Sequence, residues 1–246
     1  MDSIPEIIQP ESTSSTSLHL KELLKQQNLP ECSVVITNRQ TAGRGQPGNT
    51  WEAEPGKNLT FSIVFFPEMV PASSQFIISK TVAVAIVTSL EKYIRPVEIK
   101  WPNDIYYNDQ KLGGILIENA LQGSSISQTI AGIGININQT SFPENIPNPI
   151  SMKMITGYNM NLQTLFHQVY QSLTSSYQKL TENKTREIEK SYLSHLYRRS
   201  GFHKYRDSHG EFLASISGIG HAGHIFLTRT DGITAKYAFK EVEFVF

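Results

Sequence analysis

The chain has 246 residues, 39% of them hydrophobic and 18% charged, with 22 lysines and arginines against 22 aspartates and glutamates. This composition predicts a globular chain with room for one large domain, or one large and one small, and it excludes a disordered one. Zero net charge argues against a general nucleic-acid or membrane-surface binder, which carries a basic excess. The single cysteine, Cys32, excludes an internal disulfide and a multi-thiolate zinc site.

The N-terminal MDSIPEIIQPEST has no basic start followed by an apolar run, so no signal peptide is predicted. No apolar stretch approaches the roughly 20 residues that span a bilayer. A cytoplasmic soluble protein is expected, and the sequons at Asn58, Asn138 and Asn183 carry no glycosylation meaning. The histidines are scattered. His221 and His224 are close, but no second cluster completes a metal site, so none is expected.

The Ser/Thr run at 11–17 predicts a cap for a helix over 18–27, where Leu20, Leu23 and Leu24 recur at helical spacing. SVVIT (33–37) and NLTFSIVFF (58–66) read as strands, the second of them buried. Residues 74–94 read as a helix apolar over most of its surface, and therefore central. Four strand candidates follow at 97–101, 104–107, 111–118 and 128–137, with short connections that suggest an antiparallel or mixed sheet. The proline-rich stretch 139–151 reads as loop. Helices are predicted over 162–180 and from Lys184 to about Arg198. From Gly201 onward only short strands are predicted, at about 203–206, 211–219, 223–229 and 234–245. Turn signals such as Asp231-Gly232 separate them, and a small barrel results.

Three segments invite chemistry. In TAGRGQPGNTW (41–51), Gly43, Gly45 and Gly48 spell a dinucleotide-binding fingerprint, but Pro47 interrupts it and no helix follows. Gly43 and Gly48 also have P-loop spacing, yet Asn49 stands where the lysine must be. What remains is a flexible loop with exposed backbone N–H groups and Arg44. Such a loop suits a phosphate or carboxylate, but on composition alone it reads as an ordinary surface loop with a stray arginine.

In IKWPNDIYYNDQKLGGIL (99–116), Pro102 cannot donate to a ladder, so the strand should end or bulge there. Lys100 and Lys111 flank the turn. Gly113 and Gly114 interrupt an apolar strand, which fits either the close approach of a ligand or a flexible edge. In AGIGININ (131–138), Gly132, Gly134, Asn136 and Asn138 are expected on one strand face. That face leaves room for something flat, or for tight packing against a helix.

Taken in order, these motifs resemble the biotin protein ligase family over about residues 4–246. They are the Ser-Thr-rich segment before a helix, Gln-x-Ala-Gly-Arg-Gly, a nearby tryptophan, Lys-Trp-Pro-Asn-Asp, Lys-Leu-Gly-Gly-Ile-Leu and Gly-x-Gly-x-Asn. Lys-Trp-Pro-Asn-Asp followed by Lys-Leu-Gly-Gly-Ile is the most specific pair. The resemblance implies an α+β fold: a catalytic domain like class II aminoacyl-tRNA synthetases and biotin/lipoate ligases at 1–199, built on a mixed sheet, and an SH3-like barrel at 200–246. It implies an ATP-dependent ligase that makes biotinyl-AMP and then biotinylates a lysine of a biotin carboxyl carrier domain, with Mg²⁺ accompanying the nucleotide. No nucleic acid or membrane partner is implied, and no protein-held metal. The family includes monomers and homodimers. A lipoate or octanoate ligase, or a non-catalytic biotin-binding module, are the alternatives.

By the same resemblance, biotin-contacting positions fall on Ser15, Thr16, Ser17, Gln40, Arg44, Gly45, Gln46 and Lys111, with Ser12–Ser14 as another register for the first segment. Trp51 matches the tryptophan that packs near the adenine. Gly43, Asn103, Gly113, Gly114, Ile115, Gly134 and Asn136 complete the expected biotin and adenylate site, and Arg44, Lys100, Asp104 and Lys111 are the expected catalytic set. The chain departs from the family at Ser17, where asparagine is usual, and at Gln46, where several relatives carry a second arginine. Some relatives carry an N-terminal DNA-binding winged helix. The motifs begin near residue 12, so no such module is expected here.

Overall fold

A computed structural model describes residues 4–144 and 146–246. Positions 1–3 of the N-terminus and position 145 of the expected proline-rich loop lie outside the described residues. The first half of the chain forms β1 (Ile7–Ile8), β2 (Ser12–Thr13), α1 (Thr16–Gln26), β3 (Val34–Ile36), β4 (Arg39–Gln40), β5 (Gly43–Arg44), β6 (Thr50–Trp51) and β7 (Leu59–Phe65). There follow α2 (Phe76–Leu90), β8 (Glu98–Lys100), β9 (Asp104–Tyr107), β10 (Gln110–Gln122) and β11 (Ser125–Ile135). Then come α3 (Met152–Thr156), α4 (Leu162–Thr181) and α5 (Thr185–Ser194). The C-terminal part forms β12 (His203–Asp207), β13 (Gly210–Ile219), β14 (Ile225–Arg229), β15 (Thr234–Tyr237) and β16 (Glu243–Phe244).

A seven-stranded sheet runs in the order β1-β3-β7-β11-β10-β9-β8. It is mixed, because β1 and β3 are parallel and the other pairs antiparallel. Alternation along β7 decides its two faces. Phe61, Ile63 and Phe65 enter the large core with α2 and α4, whereas Val64 packs with Leu20 of α1. Every residue of α2 except Ser79 and Thr88 is buried, as an all-round apolar helix requires. Between α2 and α5, the buried Lys80 is matched by Glu189 at 2.9 Å.

The second sheet is antiparallel and five-stranded, in the order β15-β14-β13-β12-β16. Its interior residues Tyr205, Ala214, Ile225, Leu227 and Tyr237 belong to the same apolar cluster as α2 and the large sheet. The two sheets are also joined at the Trp-Pro-Asn-Asp turn. The Trp101 indole Nε1–H donates to the Gly223 carbonyl at 2.7 Å, and the ring meets Phe239 edge-on at 6.3 Å. Trp101→Phe keeps most of the ring and leaves that carbonyl without its donor. The expected loss is about 1–2 kcal/mol, roughly 2–4 °C of melting temperature per kcal/mol in a chain of this size, as read by calorimetry.

Several expected elements change shape. The Ser/Thr run does supply the N-cap, Ser15, but its side chain makes no capping bond and meets Ser17 Oγ instead, at 3.0 Å. α5 ends at Ser194 rather than near Arg198, because the chain turns to pair beside β8. Ile99 N–H donates to the His195 carbonyl and Tyr197 N–H to the Ile99 carbonyl. The strand expected over 234–245 is two strands, separated by a turn in which Lys240 has φ +70°. The loop expected at 41–50 is a short hairpin, β5 with β6.

Candidate functional site

The floor of the site is set by register. Across β7, β11 and β10, Ser62 lies opposite Gly132, Thr60 opposite Gly134, and Gly134 opposite Gly114. These residues share the face turned toward α1, and their small side chains cannot fill it. A cavity of about 590 Å³ results, bounded by that floor, the α1 N-terminus, the β5–β6 hairpin, the turn after β8 and the C-terminal sheet.

At the α1 end the polar groups are linked. Gln40 Oε1 accepts from the Thr16 backbone N–H at 2.9 Å, and the Thr16 hydroxyl meets the Ser62 hydroxyl at 2.8 Å. Ser15, Thr16 and Ser17 are all buried and line the cavity with Gln40. The parallel pairing of β2 with β4 brings Gln40 to this place.

The hairpin supplies a roof. Trp51 lies so close over Gly134 that a Cβ there would stand 2.6 Å from Cζ2 and Nε1 of the indole. The flat group expected over the glycine face is thus the chain's own tryptophan. Its Nε1 is buried without a hydrogen-bond partner. Gly45 and Gln46 line the same cavity from the hairpin tip.

The turn between β8 and β9 carries the charges. Strand β8 ends at Lys100 and β9 begins at Asp104, so the ladder stops at Pro102 as a missing donor requires. Asn103 is buried, its side-chain amide donates to the Ile115 carbonyl, and its main-chain carbonyl accepts from Ile115 N–H at 3.0 Å. Lys111 Nζ meets Asp104 Oδ1 at 2.8 Å. Lys100 Nζ lies 3.2 Å from the Tyr106 hydroxyl and over two aromatic faces of the C-terminal segment, Phe244 and Phe246, each 5.2 Å to the centroid. Burial pulls the Lys100 pKa below its ordinary value of 10.5. Asp104 opposes the shift, and Lys111 and Arg198 add to it. Burial likewise pushes the Tyr106 hydroxyl well above its usual range, so it stays protonated beside Lys100.

Fifteen expected positions converge on the cavity, including Ile115 and Gly114 of β10. Gly43, Gly113 and Asn136 do not line it. Gly43 and Gly113 are places of close backbone approach, to the Trp51 and Gly134 carbonyls. Asn136 lies beyond the end of β11, as does Asn138, so neither continues the glycine face. The Asn136 amide donates to the Ile150 carbonyl at 3.1 Å. It borders an adjoining cavity of about 360 Å³, formed by Trp51, Lys111, Phe142, Ile146, Pro147 and Pro149. Arg44 lines the main cavity, but its guanidinium is held by Glu118.

Sequence reasoning missed the C-terminal wall. Phe239, Lys240, Val242, Glu243 and Phe244 all line the main cavity. No motif marks them. The turn at Lys240 that brings them there is the only local signal, and the reading of 234–245 as one strand concealed it. Among the described residues no group of three or more histidine, cysteine or acidic side chains is placed to hold a metal. Nor is any helix long and apolar enough to cross a membrane. Cys32 is outside the site, with burial raising its thiol pKa to about 12.

The sequence profile of the Biotin/lipoate A/B protein ligase family matches residues 9–136. The chain is 28% identical over 229 residues to the bifunctional ligase/repressor BirA of Bacillus spizizenii, covering 92% of this chain and 70% of that protein. It is 32% identical over 133 residues to the human biotin–protein ligase, covering 51% of this chain and 17% of the human protein. Among solved structures, the biotin protein ligase from Aquifex aeolicus in complex with biotin and ATP matches with a TM-score of 0.79 at 24% identity, over 98% of each chain. That likeness spans both sheets, and with the profile match over half the chain it assigns the protein: it belongs to the biotin/lipoate A/B protein ligase family.

Proposed function

We propose that the protein is an ATP-dependent biotin protein ligase. In this reading it activates biotin as biotinyl-AMP and transfers the biotinyl group to a lysine of a biotin carboxyl carrier domain. The observation that carries the reading is a single cavity that joins a buried hydroxyl-and-amide cup to a glycine floor, an indole roof and paired lysines. A cup with both donors and acceptors suits a ureido ring. The lysines suit a carboxylate meeting a phosphate. Residues 1–199 form the catalytic unit and 200–246 a C-terminal unit that walls the same site, whether the protein works as a monomer or a homodimer.

In the first step a carboxylate oxygen of biotin bonds to the α-phosphorus of ATP, and the bond from that phosphorus to pyrophosphate breaks. Both reactants are anions, so Arg44, Lys100 and Lys111 stabilise the charge that accumulates. Ser15, Thr16, Ser17 and Gln40 orient the biotin head. Trp51 and the adjoining cavity beside Asn136 take the adenine. Among the described residues the cavity's carboxylates are Asp104 and Glu243, each paired with a cation, and they form no magnesium site of their own. Mg²⁺ therefore arrives on the nucleotide's phosphates.

In the second step the carrier amine bonds to the acyl carbon and AMP leaves. The amine must lose a proton, because a free lysine has a pKa of about 10.4. Asp104 orients that amine or accepts the proton, its pairing with Lys111 using Oδ1. Enclosure beneath the hairpin keeps water from the mixed anhydride between the steps.

Lys100 gives this reading a pH signature. Its folded-state pKa is lowered, so between that value and 10.5 the unfolded chain binds more protons. Stability therefore rises with pH through that window. Adenylate formation that needs the charged ammonium declines through the same window. The alkaline limb of kcat/KM for adenylation is expected below the ordinary lysine value, and Lys100→Arg is expected to move it upward. An unmoved limb removes Lys100 from the first step.

The decisive assay combines the protein with ATP, Mg²⁺, biotin and a carrier domain, with lipoate as competitor, and probes the carrier for biotin. ATP-dependent labelling that excess lipoate leaves intact is expected. No labelling overturns the proposal, and preferential transfer of lipoate replaces it with a lipoate ligase.

A further inference from the structure

The ligase reading gives Glu118 no task, yet the geometry does. Gly114, Leu116 and Glu118 alternate along β10, so Glu118 rises from the same face as the glycine floor. Its carboxylate takes the Arg44 guanidinium as a fork: Nη1 donates to Oε2 and Nη2 to Oε1, each at 3.0 Å. We propose that Glu118 is a positioning residue, which holds the β5–β6 hairpin closed over the cavity by gripping Arg44. Its effect on ligands rests on the ligase reading of the site. Its effect on the hairpin does not.

Four observations support it. First, Arg44 lines the cavity and Glu118 does not, so the carboxylate acts through the arginine. Second, Arg44 and Trp51 belong to one two-rung ladder, Gly43 opposite Trp51 and Arg44 opposite Thr50. Fixing Arg44 therefore fixes the indole over Gly134. Third, the base of the hairpin is tied by main chain, with Thr41 and Ala42 N–H groups donating to the Thr13 and Ser14 carbonyls. Its tip bonds chiefly to itself, Gly45 N–H to the Asn49 carbonyl and Asn49 N–H to the Gln46 carbonyl. Beyond the base, the side-chain ties among the described residues are the Glu118 fork and Lys240, whose Nζ donates to the Pro47 carbonyl at 2.7 Å. Lys240 lines the cavity itself, so Glu118 is the tie that isolates closure from ligand contact. Fourth, the fork occupies two of the five guanidinium N–H groups, which leaves three for an anion in the cavity. The paired arginine is thereby held in a fixed plane rather than withdrawn from use.

The side chains of the pair are 38% and 26% exposed, so the tie is modest and salt-sensitive. Exposed pairs of this kind hold an equilibrium by up to about fivefold. Glu118→Gln is the clean variant, because it keeps the size and removes the charge. In the ligand-free full-length protein, amide hydrogen exchange over residues 43–51 is expected to quicken by about three- to fivefold. Glu118→Asp is expected to restore part of the protection, and added salt to erase the difference between wild type and Glu118→Gln. Amides of β7 and β11 serve as the internal control for folding and should not change.

In the enzyme assay KM for biotin is expected to rise by a similar factor, with acyl transfer from preformed biotinyl-AMP unchanged. Unaltered exchange in Glu118→Gln overturns the proposal. So does a lowered KM, which makes Glu118 a competitor for Arg44 rather than its holder. If the wild-type protein makes no biotinyl-AMP, the ligase reading fails, and hydrogen exchange alone decides the latch.

Discussion

Lys111→Met is expected to slow biotinyl-AMP formation by about 100- to 1,000-fold, the range for losing one preorganised charge contact in a transition state. The methionine keeps most of the stem and all of the main chain. That matters because Lys111 N–H donates to the Asn148 carbonyl at 2.7 Å and the Lys111 carbonyl accepts from Ile150 N–H at 3.0 Å. Those bonds hold the segment that borders the adjoining cavity, and the variant leaves them in place. Only the ammonium goes, and with it the partner of Asp104 at 2.8 Å. Asp104 then stands as a lone carboxylate where two anions must meet, so the loss of attraction and the added repulsion act in the same direction. Pyrophosphate release in single turnover reads the first step directly. A decrease below about tenfold assigns Lys111 to the Asp104 turn alone.

Gly134→Ala should be nearly as damaging, by packing rather than charge. A methyl at Gly134 comes within 2.6 Å of Trp51 Nε1, closer than real contacts allow. Strand β11 cannot move, being paired on both sides, so the indole must leave and take the hairpin with it. Overpacking of this kind typically costs about 1–3 kcal/mol, which here falls on closure of the site. KM for ATP and biotin is expected to rise about tenfold or more, while thermal unfolding changes little. Gly132→Ala is the control on the same strand face. Its nearest neighbour would be Ser62 Oγ at 3.6 Å, an ordinary contact, so the indole and hairpin stay in place and a smaller rise in KM than at Gly134 is expected. Equal effects at the two glycines exclude the indole roof as the cause.

Much of the fold was legible because its signals are local. The all-round apolar α2 and the amphipathic α4 follow from residue spacing, and the turn at Pro102 from a missing donor; spacing left the large sheet antiparallel or mixed, and the parallel β1–β3 pair decided it. The C-terminal sheet followed from short alternating runs between turns. Element ends were less legible. The end of α5 is decided by pairing with Ile99 of β8, which nothing near residue 195 announces. Asn136 and Asn138 fit the alternation of β11, but the strand stops at Ile135 and both side chains turn to main-chain partners.

The sequence by itself determined the family, the α+β architecture, the glycine positions in β10 and β11, and the lysines and aspartate around the Trp-Pro-Asn-Asp turn. Those are properties of residue type at short spacing, and short spacing fixes which face of a strand or which side of a turn a residue occupies. Only the tertiary structure decided what lies across from each of them. It set Trp51 on Gly134, Glu118 on Arg44 across 74 positions, and Lys240 on Pro47 across 193. It also made the C-terminal sheet a wall of the cavity. Such contacts depend on strand register and on how two sheets meet. Both are settled by burial summed over the whole core, so no local pattern contains them.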